Sequence, residues 1–303
     1  MKLSTFLLGA SATAVALVAA QDKTDIDTTI LQFALTLEHL EATFYKEALA
    51  KFSKGDFQAA GYPANVRQRI AETAMDEATH VITLESVLTA GGAKPTEACQ
   101  YSFPYTDVTS FLGLSSVLEG VGVTAYLGAA ALITSPTYLT AAAAILTVEA
   151  RHQAEVSTFL GEDGSPNPFD TPLSGSDAYT LASAFITSCP SSNPTLPFKA
   201  FPALKVNTKK DVPGKYVSFH LPHTTGNVYM HFLNGLTDTV VQLDNHGHAD
   251  LPAAVTGTVY CVASTSATTV TDANTVAGPA IIVIENPNQK YSKKGKRSIE
   301  FDG

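Results

Sequence analysis

Glu77-Ala78-Thr79-His80 and Glu149-Ala150-Arg151-His152 carry the same Glu-Ala-x-His pattern, and the residues after them continue alike: Leu84 against Val156, Val87 against Phe159, Leu88 against Leu160. A second pair precedes them. Leu37-Glu38-His39-Leu40-Glu41-Ala42-Thr43-Phe44-Tyr45 aligns with Leu118-Glu119-Gly120-Val121-Gly122-Val123-Thr124-Ala125-Tyr126, with Leu, Glu, Thr and Tyr at the same offsets. A repeat of this kind makes the region two related helical hairpins. Glu and His at i and i+3 share one helix face, and their neighbours a turn further on are apolar, so this face points inward. Two such hairpins packed face to face bring together four carboxylates and two imidazoles. Unpaired, each buried charge would cost about several kcal/mol. Two divalent cations supply the four positive charges that cancel four glutamates, and hard oxygen ligands with one imidazole per ion suit iron or manganese.

The surrounding pattern fits helices of about six or seven turns. The first spans about 27–52, and the second runs from Pro63 to the glycine stop at Gly91-Gly92. The third covers about 107–135, and the fourth ends at Leu160-Gly161. A short helical segment, 176–187, follows a stretch rich in Pro, Gly and Ser. Beyond the breaker cluster Cys189-Pro190-Ser191-Ser192-Asn193-Pro194 the sequence changes to short Val/Thr/Tyr/Phe runs at 215–221, 227–233, 239–243, 256–263 and 280–285. Such runs separated by turn residues predict a small antiparallel β-sandwich. The expected class is therefore α+β: an antiparallel four-helix bundle with an extra short helix over 25–190, then a sandwich over 198–290. A basic-then-acidic tail over 291–303 completes the chain.

Glu, Glu-x-x-His, Glu, Glu-x-x-His on four successive helices resembles the di-iron or di-manganese carboxylate site of the ferritin-like superfamily. The resemblance implies that Glu38 and His80 hold one metal, that Glu119 and His152 hold the other, and that Glu77 and Glu149 bridge them. It also implies a role beside the metals for Tyr45 and Tyr126, which lie seven residues after the lone glutamates. Plain hydrogen-bonding core tyrosines are the alternative. Glu41 lies one turn from Glu38, but only Glu38 has a repeat partner. Arg151 is read as a clamp on a ligand carboxylate. The stretch is also similar to secreted fungal ferritin-like proteins linked to stress or desiccation, a similarity that continues through Asn167-Pro168-Phe169-Asp170-Thr171-Pro172. Expected reactions are Fe(II) oxidation or peroxide disproportionation, with O2 or peroxide as substrate. The contrasting expectation is a metal-stabilised, non-enzymatic structural or interaction protein whose sandwich contacts the cell wall or another protein.

Composition bounds these readings. The chain has 303 residues, 45% hydrophobic and 16% charged, with a formal charge of −9. That balance excludes a wholly disordered chain and, lacking concentrated basic charge, a nucleic-acid binder. Met1-Lys2, an apolar run from Phe6 to Val18 and the small pair Ala19-Ala20 read as a secretory signal over 1–20. The run is short for a membrane anchor and is broken by Ser11 and Thr13. No membrane span is expected, because the apolar third helix carries Glu119. Secretion favours one disulfide among Cys99, Cys189 and Cys261, with the two loop residues Cys99 and Cys189 as the preferred pair. His246-Gly247-His248 reads as loop polarity before a second metal site, and no histidine follows Cys261 to complete a blue-copper set. Lys296-Arg297 is a dibasic pair, read as a solvated end before a protease site.

Overall fold

The computed structural model describes residues 25–207, 216–222 and 226–284. The expected signal at 1–20 and the tail at 291–303 lie outside these. Four long helices dominate: α1 (Asp25–Lys51), α3 (Val66–Ala90), α4 (Val108–Ala129) and α5 (Pro136–Phe159), with α2 (Lys54–Ala59) inserted after α1 and α6 (Gly175–Ser183) after α5. Their ends are set locally. Asp107 caps α4 and Ser110 returns the bond, while Ser135 caps α5 with Pro136 in its first turn. Past α3, Gly92 takes φ +80°, a conformation that ends a helix at low cost for glycine alone. The sequence reading of the helices differs in three details: α2 forms where no helix is expected, α4 stops at Ala129 and not near 135, and α6 stops at Ser183, so that the end of the expected 176–187 helix is a strand, Ile186–Ser188.

Helices α1 and α3 pack as one hairpin and α4 and α5 as the other, while α1 lies antiparallel against α4. Consequently α3 ends at the opposite end of the bundle from the start of α4. A helix of 25 residues is about 37 Å long, and the connection over 91–107 has ample extended reach for that distance. Lys51, the last residue of α1, donates to the Tyr105 carbonyl at 3.0 Å, and Asp27, near the start of α1, accepts from the Thr134 and Ser135 amides beside the start of α5. These bonds pin the two ends of the bundle. The long connection is tied by the Cys99–Cys189 disulfide and by the pairing of β1 (Gln100–Tyr101) with β2 (Ile186–Ser188).

The C-terminal region forms two antiparallel sheets. One has the order β3 (Lys205–Asn207), β4 (Tyr216–His220), β7 (His248–Asp250). The other has β6 (Thr237–Gln242), β5 (Tyr229–Asn234), β8 (Gly257–Ser264), β9 (Thr275–Ile284). Val217 and Phe219 of the first share an apolar core with Met230, Phe232, Val259 and Cys261 of the second, the arrangement of a small sandwich. Strands β3 and β7 add to the five expected runs. Cys261 is buried in that core outside the disulfide, with Phe232 opposite it on β5. Tyr260, next to it, turns toward the helices and donates to the Gly120 carbonyl at 3.3 Å. Helix α4 is apolar and long enough to cross a membrane, yet 78% of its apolar window is buried inside the protein, as befits a core helix.

The disulfide joins residues 90 apart. Replacing both cysteines with serine is expected to cost about 2–5 kcal/mol, read as a lower Tm in thermal unfolding; an unchanged Tm would mean that the connection is held by its other contacts.

Candidate metal centre

The inward faces of α1, α3, α4 and α5 meet at mid-bundle, where Glu38, Glu77, Glu119 and Glu149 are fully buried. His80 and His152 stand at their edge, nearly buried. His80 Nδ1 lies 3.0 Å from Glu149, 3.2 Å from Glu38 and 3.4 Å from Glu77. His152 Nδ1 lies 2.9 Å from Glu77, 3.4 Å from Glu119 and 3.9 Å from Glu149. Each histidine thus comes closest to a glutamate of the other hairpin.

Two overlapping groups result: Glu38, Glu77, His80 and Glu149, and Glu77, Glu119, Glu149 and His152, each with ligand atoms within 4.8 Å of one another. Glu77 and Glu149 belong to both. Among the described residues no other group of three or more acidic, His or Cys side chains converges in this way. His246 and His248 instead line a turn, where His248 Nδ1 lies 3.1 Å from Asp244. The buried His231 is satisfied by Asp238 and the Ser266 carbonyl.

The tyrosines cross between hairpins. Tyr126 of α4 donates to Glu38 of α1 at 2.5 Å, and Tyr45 of α1 donates to Glu119 of α4 while lying 2.6 Å from Ser115 Oγ. Both rings are buried. Each tyrosine therefore orients a carboxylate of its neighbour and leaves the other oxygen free to face the centre. Burial, reinforced by the carboxylate each one touches, raises both hydroxyls well above the usual tyrosine range. They remain protonated donors.

Glu41 was set against Glu38 as an alternative in the sequence; the structure buries both. Its repeat partner is Gly122, and a Cβ there would stand 3.1 Å from Glu41 Oε1 and 3.6 Å from Glu149 Oε2. The missing side chain makes the space that the fifth carboxylate fills. The repeat that pointed to the other buried acids concealed Glu41, because its signal lies in the departure from symmetry. Arg151 does not clamp a ligand. It lies exposed with the two histidines in the wall of an open groove of about 330 Å3 between α3 and α5, beside Asp76, Thr79 and Glu155. Asp76 lies 3.2 Å from His152 Nε2; the residue at the equivalent repeat position is Val148.

Both oxygens of Glu77 and Glu149, one of Glu119, and His152 Nδ1 are buried and, although histidine and carboxylate stand as close as 2.9 Å, none of them is aligned for a hydrogen bond. Orphaned donor atoms of this kind are costly unless something binds them. Their chemistry, carboxylate oxygen with one imidazole nitrogen on each side, fits a pair of hard or borderline divalent cations. Without a cation, burial and the neighbouring carboxylates push Glu38 and Glu41 well above the usual carboxylate range and Glu119 up to about 8. Burial opposes protonation of His80, but the Glu149, Glu38 and Glu77 carboxylates outweigh it and raise it to about 12; His152 is raised by the same opposition of causes.

Residues 26–162, spanning all four long helices, match the ferritin-like domain model. They are a ferritin-like domain. Protein rds1 of Schizosaccharomyces pombe is 29% identical over 211 residues, covering 68% of this chain and 50% of rds1. The chain thus spans about half the length of that curated relative. Among solved structures, a conserved hypothetical protein from Mycobacterium tuberculosis is similar at 19% identity over 46% of this chain and 100% of its own, with a TM-score of 0.40. A ferritin-like, diiron-carboxylate protein from Bacillus anthracis is similar at 19% identity over 46% of this chain and 99% of its own, with a TM-score of 0.39.

The ferritin-like cluster sets a pH dependence. Free glutamate titrates near 4.3 and free histidine near 6.5, so between about pH 5 and 8 the metal-free folded state binds more protons than the unfolded chain. Its stability must then fall as pH rises through that window. Thermal melts of metal-free protein from pH 5 to 8 are expected to show a declining Tm. Metal affinity is expected to run the other way, because cations displace those protons; a metal-free Tm that rises with pH would contradict the assignment of buried, proton-holding carboxyls.

Proposed function

We propose that the ferritin-like domain holds two divalent ions, iron or manganese, and uses them for redox chemistry on O2 or peroxide outside the cell. The observation that carries the reading is the set of orphaned donor atoms on Glu77 and Glu149, shared between two groups that each add one further glutamate and one histidine. Glu38 with His80 would hold one ion, Glu119 with His152 the other, and Glu77 with Glu149 would bridge. Bound there, the ions supply paired one-electron changes for oxidising Fe(II) or disproportionating peroxide.

The protein's own groups do the rest. Tyr45 and Tyr126 fix the lone glutamates and can pass a proton to the oxygens they touch. Asp76 holds the His152 ring. The α3–α5 groove lets solvent and small substrates reach the histidine edge, while the apolar helix faces elsewhere keep water out of the centre. Secretion is supported by the 1–20 sequence and is consistent with the Cys99–Cys189 disulfide.

A second reading, a metal-stabilised structural or interaction protein, is supported by the C-terminal sheets. They supply no ligand atom to the cluster and touch α4 through Tyr260. Under it, 25–190 and 198–290 are separate units, and the sandwich binds a cell-wall or protein partner.

One assay divides the readings. Protein refilled with iron or manganese is expected to bind two ions per chain and to consume peroxide or Fe(II). The Glu77→Ala, Glu149→Ala double variant should lower bound metal at least about tenfold and abolish turnover. Full metal loading with no turnover would leave the structural reading standing, and full loading of the double variant would remove the bridging roles.

A further inference from the structure

The two hairpins repeat each other in sequence, but their ends are not filled alike. Beyond Tyr45 the bundle is packed by aromatic rings: Phe44 lies 5.1 Å from Phe111 and 5.6 Å from Tyr105, centroid to centroid, and Ile70 is buried beside them. At the other end, beyond Tyr126, the repeat places Ala125 where that end has Phe44, Ala142 where it has Ile70, and Ile30 where it has Phe111. Val87 likewise stands in place of Phe159. The volume removed by these substitutions survives as a cavity of about 240 Å3 bounded by all four long helices.

We infer that this cavity is a binding site for a small, uncharged, apolar organic molecule. No charged residue lines it, and only Tyr126, Tyr138 and Thr83 bring side-chain polar atoms to its wall. The Tyr126 hydroxyl is already committed to Glu38. A charged or strongly polar ligand would lose its hydration there and find no partner. Water is disfavoured for the same reason; apolar cavities of about 150 Å3 stay dry and accept benzene. Scaling from that volume, this one takes about eight to ten carbon atoms.

An empty apolar space costs stability in proportion to its volume, and here it sits where the related half of the same bundle is solidly packed. Its exposed lining residues, Thr83 on α3 and Ala141 and Ala144 on α5, mark the mouth between those two helices. An opening walled by four helices suits a small molecule and not a docked helix or strand. The occupant would rest against the ring of Tyr126, one side chain from Glu38. Binding follows from packing alone and does not depend on metal loading, so it can fail or hold separately from the redox reading.

The test uses the full chain, metal-free and metal-loaded, with toluene and n-octane as probes and benzoate and octanoate as their charged counterparts. Saturation-transfer NMR is expected to show toluene or octane bound in both metal states. A concentration of tenfold over Kd should raise Tm by about 3 °C or more, while the carboxylates give no shift. Ala142→Ile, which copies the residue at the packed end, is expected to weaken probe binding at least tenfold and leave metal content unchanged. Should that variant fail to fold, Val87→Phe at the mouth is expected to do the same. Probe binding that survives a folded filling variant, or no binding of either hydrocarbon, would overturn the proposal.

Discussion

The middle of the bundle concentrates five glutamates where water does not reach, with two histidines at their edge. A carboxylate group moved from water into such a place is unstable unless its charge is removed or matched. The protein meets this in two stages. Without cations, protons are retained on Glu38, Glu41 and Glu119 and on the histidines, so the cluster is partly neutralised from within. The oxygens of Glu77 and Glu149 are still left without an aligned hydrogen bond. Everything around the cluster serves to hold those atoms in place: the two tyrosines that cross between hairpins, Asp76 behind His152, and the long apolar faces that keep the four helices in register.

Position along each helix follows from this. The stripe Glu38, Glu41, Tyr45 on α1 runs antiparallel to Glu119, Gly122, Tyr126 on α4, so that tyrosine meets glutamate at either end of the crossing and Glu41 meets a glycine at its centre. The long connection over 91–107 is what makes this crossing antiparallel. It carries the chain back along the bundle, and the Cys99–Cys189 bridge fastens it.

Much of the architecture was readable in advance because the repeat carries two independent signals, helical spacing and matched chemistry. The spacing of Glu77 and His80 placed them on one face, and the twin at Glu149 and His152 fixed which face turned inward. The ferritin-like resemblance rested on the same residues. What escaped the sequence lies where the twins differ. Glu41 joins the cluster because Gly122 makes room for it; Arg151, adjacent to His152 in sequence, lines the groove because one residue along a helix is a turn of about 100°. Strands β3 and β7 are three residues each and leave too little alternation to read. Helix α2 depends on its Ser53 and Asp56 capping box more than on any apolar stripe.

The exchange of tyrosines between hairpins has a wider meaning. Neither half can orient its own lone glutamate, so a single hairpin would be an incomplete object, and two identical copies would have to meet across a symmetry axis to finish it. Such a pair must obey that symmetry at every residue. Joined in one polypeptide, the halves are released from it. One may then keep an acid where the other has a hydrogen atom, or solid packing where the other has room for a guest, and still close around the same middle.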